Sequence, residues 1–120
     1  LPEAYVYADP DLFSRVLSNL VKNAIQAIPS QRQGKVAIGL EKRQKTAVMS
    51  ISDNGSGIPE RMEGKLFRPN FTTKSGGMGM GLAITRKIIE DIGGTITYQT
   101  QPGQGTTFFL ELPLYQAEER

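Results

Sequence analysis

Four short runs follow one another along the chain: Asn19-Leu-Val-Lys-Asn23-Ala24, Asp53-Asn-Gly-Ser-Gly57, Phe67 with Phe71-Thr-Thr-Lys74, and Gly77-Met-Gly-Met-Gly81-Leu82. Each supplies a different part of the chemistry that holds a magnesium-bound nucleotide: amides for the metal, a carboxylate for the base, a lid, and glycine-rich backbone for phosphates. Asp53 closes an apolar run, where a buried carboxylate can accept a hydrogen bond from an exocyclic amine such as that of adenine. Gly55 and Gly57 carry no Cβ, so backbone there can approach a ring closely. The same Asp-Asn-Gly run equally suits an ordinary type I′ or II turn after a strand. A calcium loop fits less well, because Gly55 stands at a ligand position and the terminal Glu is missing.

Asn19 and Asn23 are one helical turn apart, beside Lys22 and Gln26. Their side-chain carbonyl oxygens suit the octahedral shell of Mg²⁺, whose other ligands are water and phosphate oxygens. The competing reading is two surface residues of an amphipathic helix, although Asn is a mediocre helix former in mid-helix. The run Gly77, Gly79, Gly81 leads directly into a helix, whose free N–H groups and dipole favour phosphate. No strand leads into it, as a dinucleotide fingerprint requires, and it lacks the Gly-Lys-Ser/Thr of a P-loop. A flexible linker is the alternative. Between these motifs, Phe67 and Phe71 can fold a lid onto the core while Thr72, Thr73 and Lys74 reach phosphate oxygens, unless Lys74 is simply solvated.

The elements that position these residues follow from periodicity. Residues 5–8 read as a short strand. Asp9-Pro10 is a helix start, with Asp as cap and Pro in the first turn. Leu12, Phe13, Val16, Leu17, Leu20, Ala24, Ala27 and Ile28 then recur at helical spacing until Pro29-Ser30, and Asn19 and Asn23 stack at the margin of that stripe. Residues 35–40 and 46–53 form a hairpin, in which Met49, Ile51 and Asp53 share a face by the period of two. A carboxylate on a core face needs a partner or a ligand. The span 55–79 is long, irregular and lid-like, with a helical stretch around 59–67. A second helix covers about 80–92, closed by Gly93-Gly94, and a second hairpin covers 95–100 and 106–112.

With 120 residues, 38% hydrophobic and 22% charged, the composition is that of one ordinary soluble globular domain. No apolar run approaches the ~20 residues of a membrane span, and no basic tract with interleaved aromatics marks a nucleic-acid surface. Membrane contact and nucleic acid are therefore not expected. The net charge is only +2, there is no cysteine, and there is no histidine to serve as base, ligand or phosphoacceptor. The chain begins Leu1-Pro2-Glu3 and is expected to be a piece of a longer protein. Residues 1–115 are read as the domain and 116–120 as a solvated tail.

The motifs together resemble the catalytic, ATP-binding domain of bacterial two-component sensor histidine kinases, of the Bergerat ATPase superfamily. Residues 19–24 resemble its N box, 53–57 the G1 box, 67–74 the F box and 77–82 the G2 box. Gln104-Gly-Thr-Thr-Phe108 resembles a last, weaker element. The resemblance covers residue 9 to about 113. It implies an α/β two-layer sandwich, a mixed sheet covered on one face by helices, from which a first strand ahead of Leu1 is missing. It implies that Asp53 binds the adenine amino group with Thr106 close by, and that Asn23, assisted by Asn19, holds Mg²⁺. Gly77, Gly79 and Gly81 would shape the phosphate end of the lid. Gly55, Gly57, Ile58, Phe71, Thr73, Lys74 and Leu82 complete the implied nucleotide-binding set. Many members carry Lys, Arg or His three residues after the metal Asn, where this chain has Gln26, so Lys22 or Lys74 would compensate.

Hydrolysing relatives of the same fold carry a Glu one turn before the metal Asn, as base for water. Here that position is Asn19, and an amide cannot take a proton. The resemblance thus implies a cytoplasmic kinase domain that binds ATP and Mg²⁺ and donates the γ-phosphoryl group to a histidine. That histidine lies on a separate helical dimerisation domain, with a response regulator downstream. A Ser/Thr-directed anti-sigma-type kinase, a non-catalytic nucleotide-responsive module and a purely structural domain are the alternatives. The anti-sigma relatives generally lack a lid of the 67–74 type.

Overall fold

The computed structural model describes residues 5–68 and 81–115. Phe71, Thr73, Lys74, Gly77, Gly79 and the 116–120 tail lie outside the described residues.

Helix α1 runs Pro10–Gln26. Asp9 caps it, its Oδ1 accepting from Asp11 N at 2.9 Å and Leu12 N at 3.2 Å. Pro10 takes a first-turn position where no N–H is needed. Val16, Asn19, Leu20 and Ala24 are its buried residues, one stripe at the spacing of three and four. The helix stops at Gln26, with Ala27 as C-cap, ahead of Pro29.

Strands β1 (Val36–Lys42) and β2 (Thr46–Asp53) form one hairpin. A single turn of helix, α2 (Glu60–Glu63), follows, and α3 runs Leu82–Asp91. Gly93, at φ +83°, and Gly94 end α3, Gly94 N donating to Ile89 O at 2.9 Å, the C-terminal glycine closure expected from sequence. Strands β3 (Thr95–Gln101) and β4 (Gly105–Pro113) form the second hairpin.

The four strands make one sheet in the order β1-β2-β4-β3. Along β4, Thr106, Phe108, Leu110 and Leu112 alternate into the interior. The register pairs Ile51 with Phe108 and Ile96 with Leu110, and these residues join Val16, Leu20, Ala24 and Ile89 in one core cluster. Both longer helices therefore cover the same sheet face, which is the two-layer α/β sandwich expected.

Within that sandwich the pairing differs from the mixed sheet expected: all three described strand pairs are antiparallel. Two short hairpins can only pair that way. The crossover from β2 to β3 does make those strands run parallel, but β4 lies between them, so no parallel ladder forms. The stretch 5–8 is not a strand either. It is tied to the chain after β4 instead, Tyr115 N donating to Tyr5 O at 2.6 Å and the Tyr7 and Tyr115 rings stacking 6.1 Å apart. Among the described residues no helix is long and apolar enough to cross a membrane.

Candidate functional site

The last residue of β2, Asp53, pairs in register with Thr106 of β4. Its Oδ1 accepts from Gly55 N at 2.8 Å and from Thr106 N at 3.3 Å. Among the described residues the carboxylate is thus anchored through Oδ1. This is an Asx turn. Gly55 is not among the positive-φ glycines, so it does not supply the left-handed position of a type I′ or II turn, and within the motif that conformation falls on Gly57.

The two glycines of the motif have closer reasons than access for a ring. A Cβ on Gly55 would overlap the carbonyl oxygen of Ala27, the cap of α1. Ser56 N donates to that same oxygen at 2.9 Å. Gly57 has φ +76°, and a Cβ there would overlap the Gln101 carbonyl oxygen in the β3–β4 turn. Gly105, at φ +140°, likewise lies against the Asp53 carbonyl. These positions require glycine because three pieces of backbone converge behind Asp53.

Side chains complete that support. Thr100 Oγ1 accepts from Ile58 N at 2.8 Å and lies 2.9 Å from Thr106 Oγ1. Thr106 is buried, so its hydroxyl needs this partner. Asn54 clips the loop ahead of β1, accepting from Lys35 N at 2.8 Å and donating to Gln33 O at 2.9 Å. Arg32 Nη1 donates to the carbonyls of Asn54 and Gly55 at 2.6 and 2.8 Å.

The second part of the site lies between α1 and α3. Asn19 is buried, and its Nδ2 donates to Thr85 Oγ1 at 3.1 Å. Thr85 in turn donates its hydroxyl hydrogen to Gly81 O at 3.2 Å. A hydroxyl has one hydrogen, so toward Asn19 it can only accept. That fixes the amide with nitrogen toward α3 and Oδ1 away from it. Asn23, one turn on, is half-buried, while Lys22 and Gln26 are exposed. Gly81 is the N-cap of α3 and gives it no side-chain cap, and among the described residues a Cβ on Gly81 would meet nothing within 4 Å. Ala27, behind the Asp53 loop, is about 12 Å along α1 from Asn19 at 1.5 Å per residue. One helix therefore carries both ends of the site.

Phe67 opens the lid motif and is held on two sides. Its ring lies 6.2 Å from Tyr98, and the Arg86 guanidinium stands 5.3 Å from its centroid. Tyr98 also donates to Glu63, 3.2 Å from Oε1. Burial, and then this bond, raise the Tyr98 phenol above its ordinary value. Of the implied set, Asp53, Thr106, Gly55, Gly57 and Ile58 gather at one end, and Asn19 and Gly81 are linked through Thr85. Leu82 packs against the core at the start of α3. Phe71, Thr73, Lys74, Gly77 and Gly79 lie outside the described residues. Arg32, Thr85, Thr100 and Tyr98 were not singled out from sequence. Only Thr85 left a sequence signal, a polar residue between Leu82 and Ile89 on the inward side of a helix.

The chain matches the family described as "Histidine kinase-, DNA gyrase B-, and HSP90-like ATPase" over residues 8–116. It is 42% identical over 114 residues to the sensor histidine kinase ZraS of Escherichia coli (strain K12), covering 95% of this chain and 24% of that protein. The signal transduction histidine-protein kinase AtoS of the same organism is 41% identical over 110 residues, covering 91% and 18%. The chain thus spans a quarter or less of the curated relatives described. Among solved structures, the nucleotide-free catalytic domain of histidine kinase ThkA superposes with a TM-score of 0.77 at 42% identity, covering 90% of this chain and 70% of that one. The mycobacterial sensor histidine kinase MprB gives 0.77 at 28% identity, covering 91% and 76%. Motifs, fold and relatives agree that the chain belongs to the histidine kinase-, DNA gyrase B- and HSP90-like ATPase family, as an ATP-binding catalytic domain of the sensor-histidine-kinase type.

Proposed function

We propose that residues 1–115 bind Mg·ATP and donate its γ-phosphoryl group to a histidine on a separate dimerisation domain, from which it passes to a response regulator in the cytoplasm. The observation that carries this reading is Asn19. It stands where hydrolysing relatives carry a Glu, it is buried, and its amide is committed to Thr85. No base is available there to take a proton from water. The chain has no histidine of its own, so a histidine acceptor must come from elsewhere.

The residues fit the nucleotide in parts. Asp53 Oδ2 would accept from the adenine amine, and Gly81 leaves the first N–H groups of α3 without a side-chain cap, open to phosphate oxygens. Asn19 and Asn23 offer neutral amide oxygens. Among the described residues no group of three His, Cys, Asp or Glu could hold a metal by itself. Such a donor set suits Mg²⁺ that arrives with phosphate ligands. When bound, the ion would supply charge neutralisation at the phosphates. The protein's share is to position the phosphoryl group and exclude water.

The test is calorimetric titration with a non-hydrolysable ATP analogue, with and without Mg²⁺, followed by transfer from labelled ATP. Expected are binding strengthened by Mg²⁺, and label appearing on an added histidine-bearing domain only when both proteins are present. Failure to bind, or transfer to a Ser or Thr instead, would overturn the reading.

A further inference from the structure

We infer that Thr85 is a positioning residue for Asn19, the asparagine that would assist Asn23 at the metal, aiming its carbonyl oxygen and tying it to the cap of α3. The inference rests on the Mg·ATP reading above. Thr85 is 0% exposed and Asn19 8%. They sit among apolar neighbours at helical spacing, Val16 and Leu20 on α1 and Ile89 on α3, all 0% exposed. A polar pair in such a place is costly unless each satisfies the other. Packing alone would be served by Val and Leu.

The hydrogen count gives the pair a direction. Gly81 O receives both Thr85 N at 3.0 Å and the Thr85 hydroxyl at 3.2 Å. Having spent its only hydrogen on Gly81, Thr85 accepts from Asn19 Nδ2. Without that acceptor the Asn19 amide could rotate by half a turn and offer nitrogen, which cannot ligate a cation, where oxygen is needed. The same hydroxyl joins α1 to the last glycine of the phosphate-facing run. Metal side and phosphate side would therefore be set by one buried group, just as partners behind a metal ligand usually fix its orientation.

The experiment compares Thr85→Val, which keeps the shape and loses the hydroxyl, with Thr85→Ser, which keeps the hydroxyl. Each is titrated with the non-hydrolysable ATP analogue, with and without Mg²⁺. The readout is the ratio of the two affinities, after circular dichroism has confirmed folding. Thr85→Val should lower the Mg²⁺-dependent gain by about tenfold, the low end for loss of a partner behind a ligand. Thr85→Ser should restore most of the gain, and Asn19→Ala combined with Thr85→Val should lose no more than Asn19→Ala alone. An unchanged ratio in folded Thr85→Val would reduce Thr85 to a packing residue and overturn the inference. Absence of any Mg²⁺ gain in wild type would instead overturn the functional reading beneath it. Exchange of the Asn19 side-chain amide protons in the wild-type protein gives a check that needs no variant. Protection from solvent exchange is expected, and rapid exchange would show that the bond to Thr85 does not hold.

Discussion

At Asp53 the two carboxylate oxygens have different duties. Oδ1 holds the turn by accepting from Gly55 N and Thr106 N, and Oδ2 is the oxygen that the proposed adenine contact would use. Asp53→Asn should therefore separate fold from recognition. An amide oxygen can still accept the two backbone bonds, while its NH₂ would confront the donor amine of adenine. We expect a melting temperature within a few degrees of wild type and at least a tenfold loss of nucleotide affinity, about 1.4 kcal/mol. Retained affinity in calorimetry would remove Asp53 from the base site. The glycines divide on the same logic. Gly55→Ala meets the Ala27 backbone and Gly57→Ala also requires φ +76°, so each should lower stability by about 1–3 kcal/mol in denaturant unfolding. Gly81→Ala meets nothing within 4 Å among the described residues. It should leave stability nearly unchanged, and any loss it causes should appear in nucleotide affinity.

At the scale of elements, α2 and the start of the lid motif are fastened to β3 through one side chain. Tyr98 donates to Glu63 and packs on Phe67 and Phe108. Its phenol pKa is raised, first by burial and then by the bond to Glu63, so the folded chain holds that proton more tightly than the unfolded chain. The resulting stability is complete below the unfolded value of about 10 and is lost as pH rises through the folded value. Tyr98→Phe keeps the ring contacts and removes the titration. Wild type should therefore lose more stability than Tyr98→Phe between about pH 9 and pH 11, measured by thermal unfolding. Parallel losses in the two proteins would show that Tyr98 carries no such linkage.

At the scale of the whole molecule, the sandwich brings the ends of β2 and β4, the cap of α1 and the first turn of α3 into one assembly. None of these contributes a proton acceptor for water in the place where hydrolysing relatives have Glu. The isolated chain should bind ATP yet release phosphate at a rate scarcely above the uncatalysed background. Asn19→Glu should raise that rate only if the carboxylate tolerates the buried position beside Thr85. Steady hydrolysis by the wild-type chain in a phosphate-release assay would contradict transfer as its chemistry.

Local signals determined the elements and the kind of site. Asp9-Pro10 set the start of α1, alternation set the two hairpins, and Gly93-Gly94 set the end of α3, because each depends on neighbours a few residues apart. Asn19 and Asn23 were legible as site candidates because two mid-helix amides stack one turn apart at the margin of the apolar stripe, and Asp53 because a carboxylate on a core face of a strand stands out. Only tertiary structure could decide the rest. The mixed sheet became antiparallel because β4 inserts between β2 and β3, a matter of long-range pairing. Gly55 and Gly57 turned out to make room for the Ala27 and Gln101 carbonyls, contacts made by distant segments. Thr85, Thr100, Arg32 and Tyr98 gained their roles from residues on other elements, 66 positions away for Thr85 and Asn19. Period and composition describe which face a residue takes. They carry no record of which hydroxyl a buried amide will meet across that face, since that is fixed only when the two helices pack.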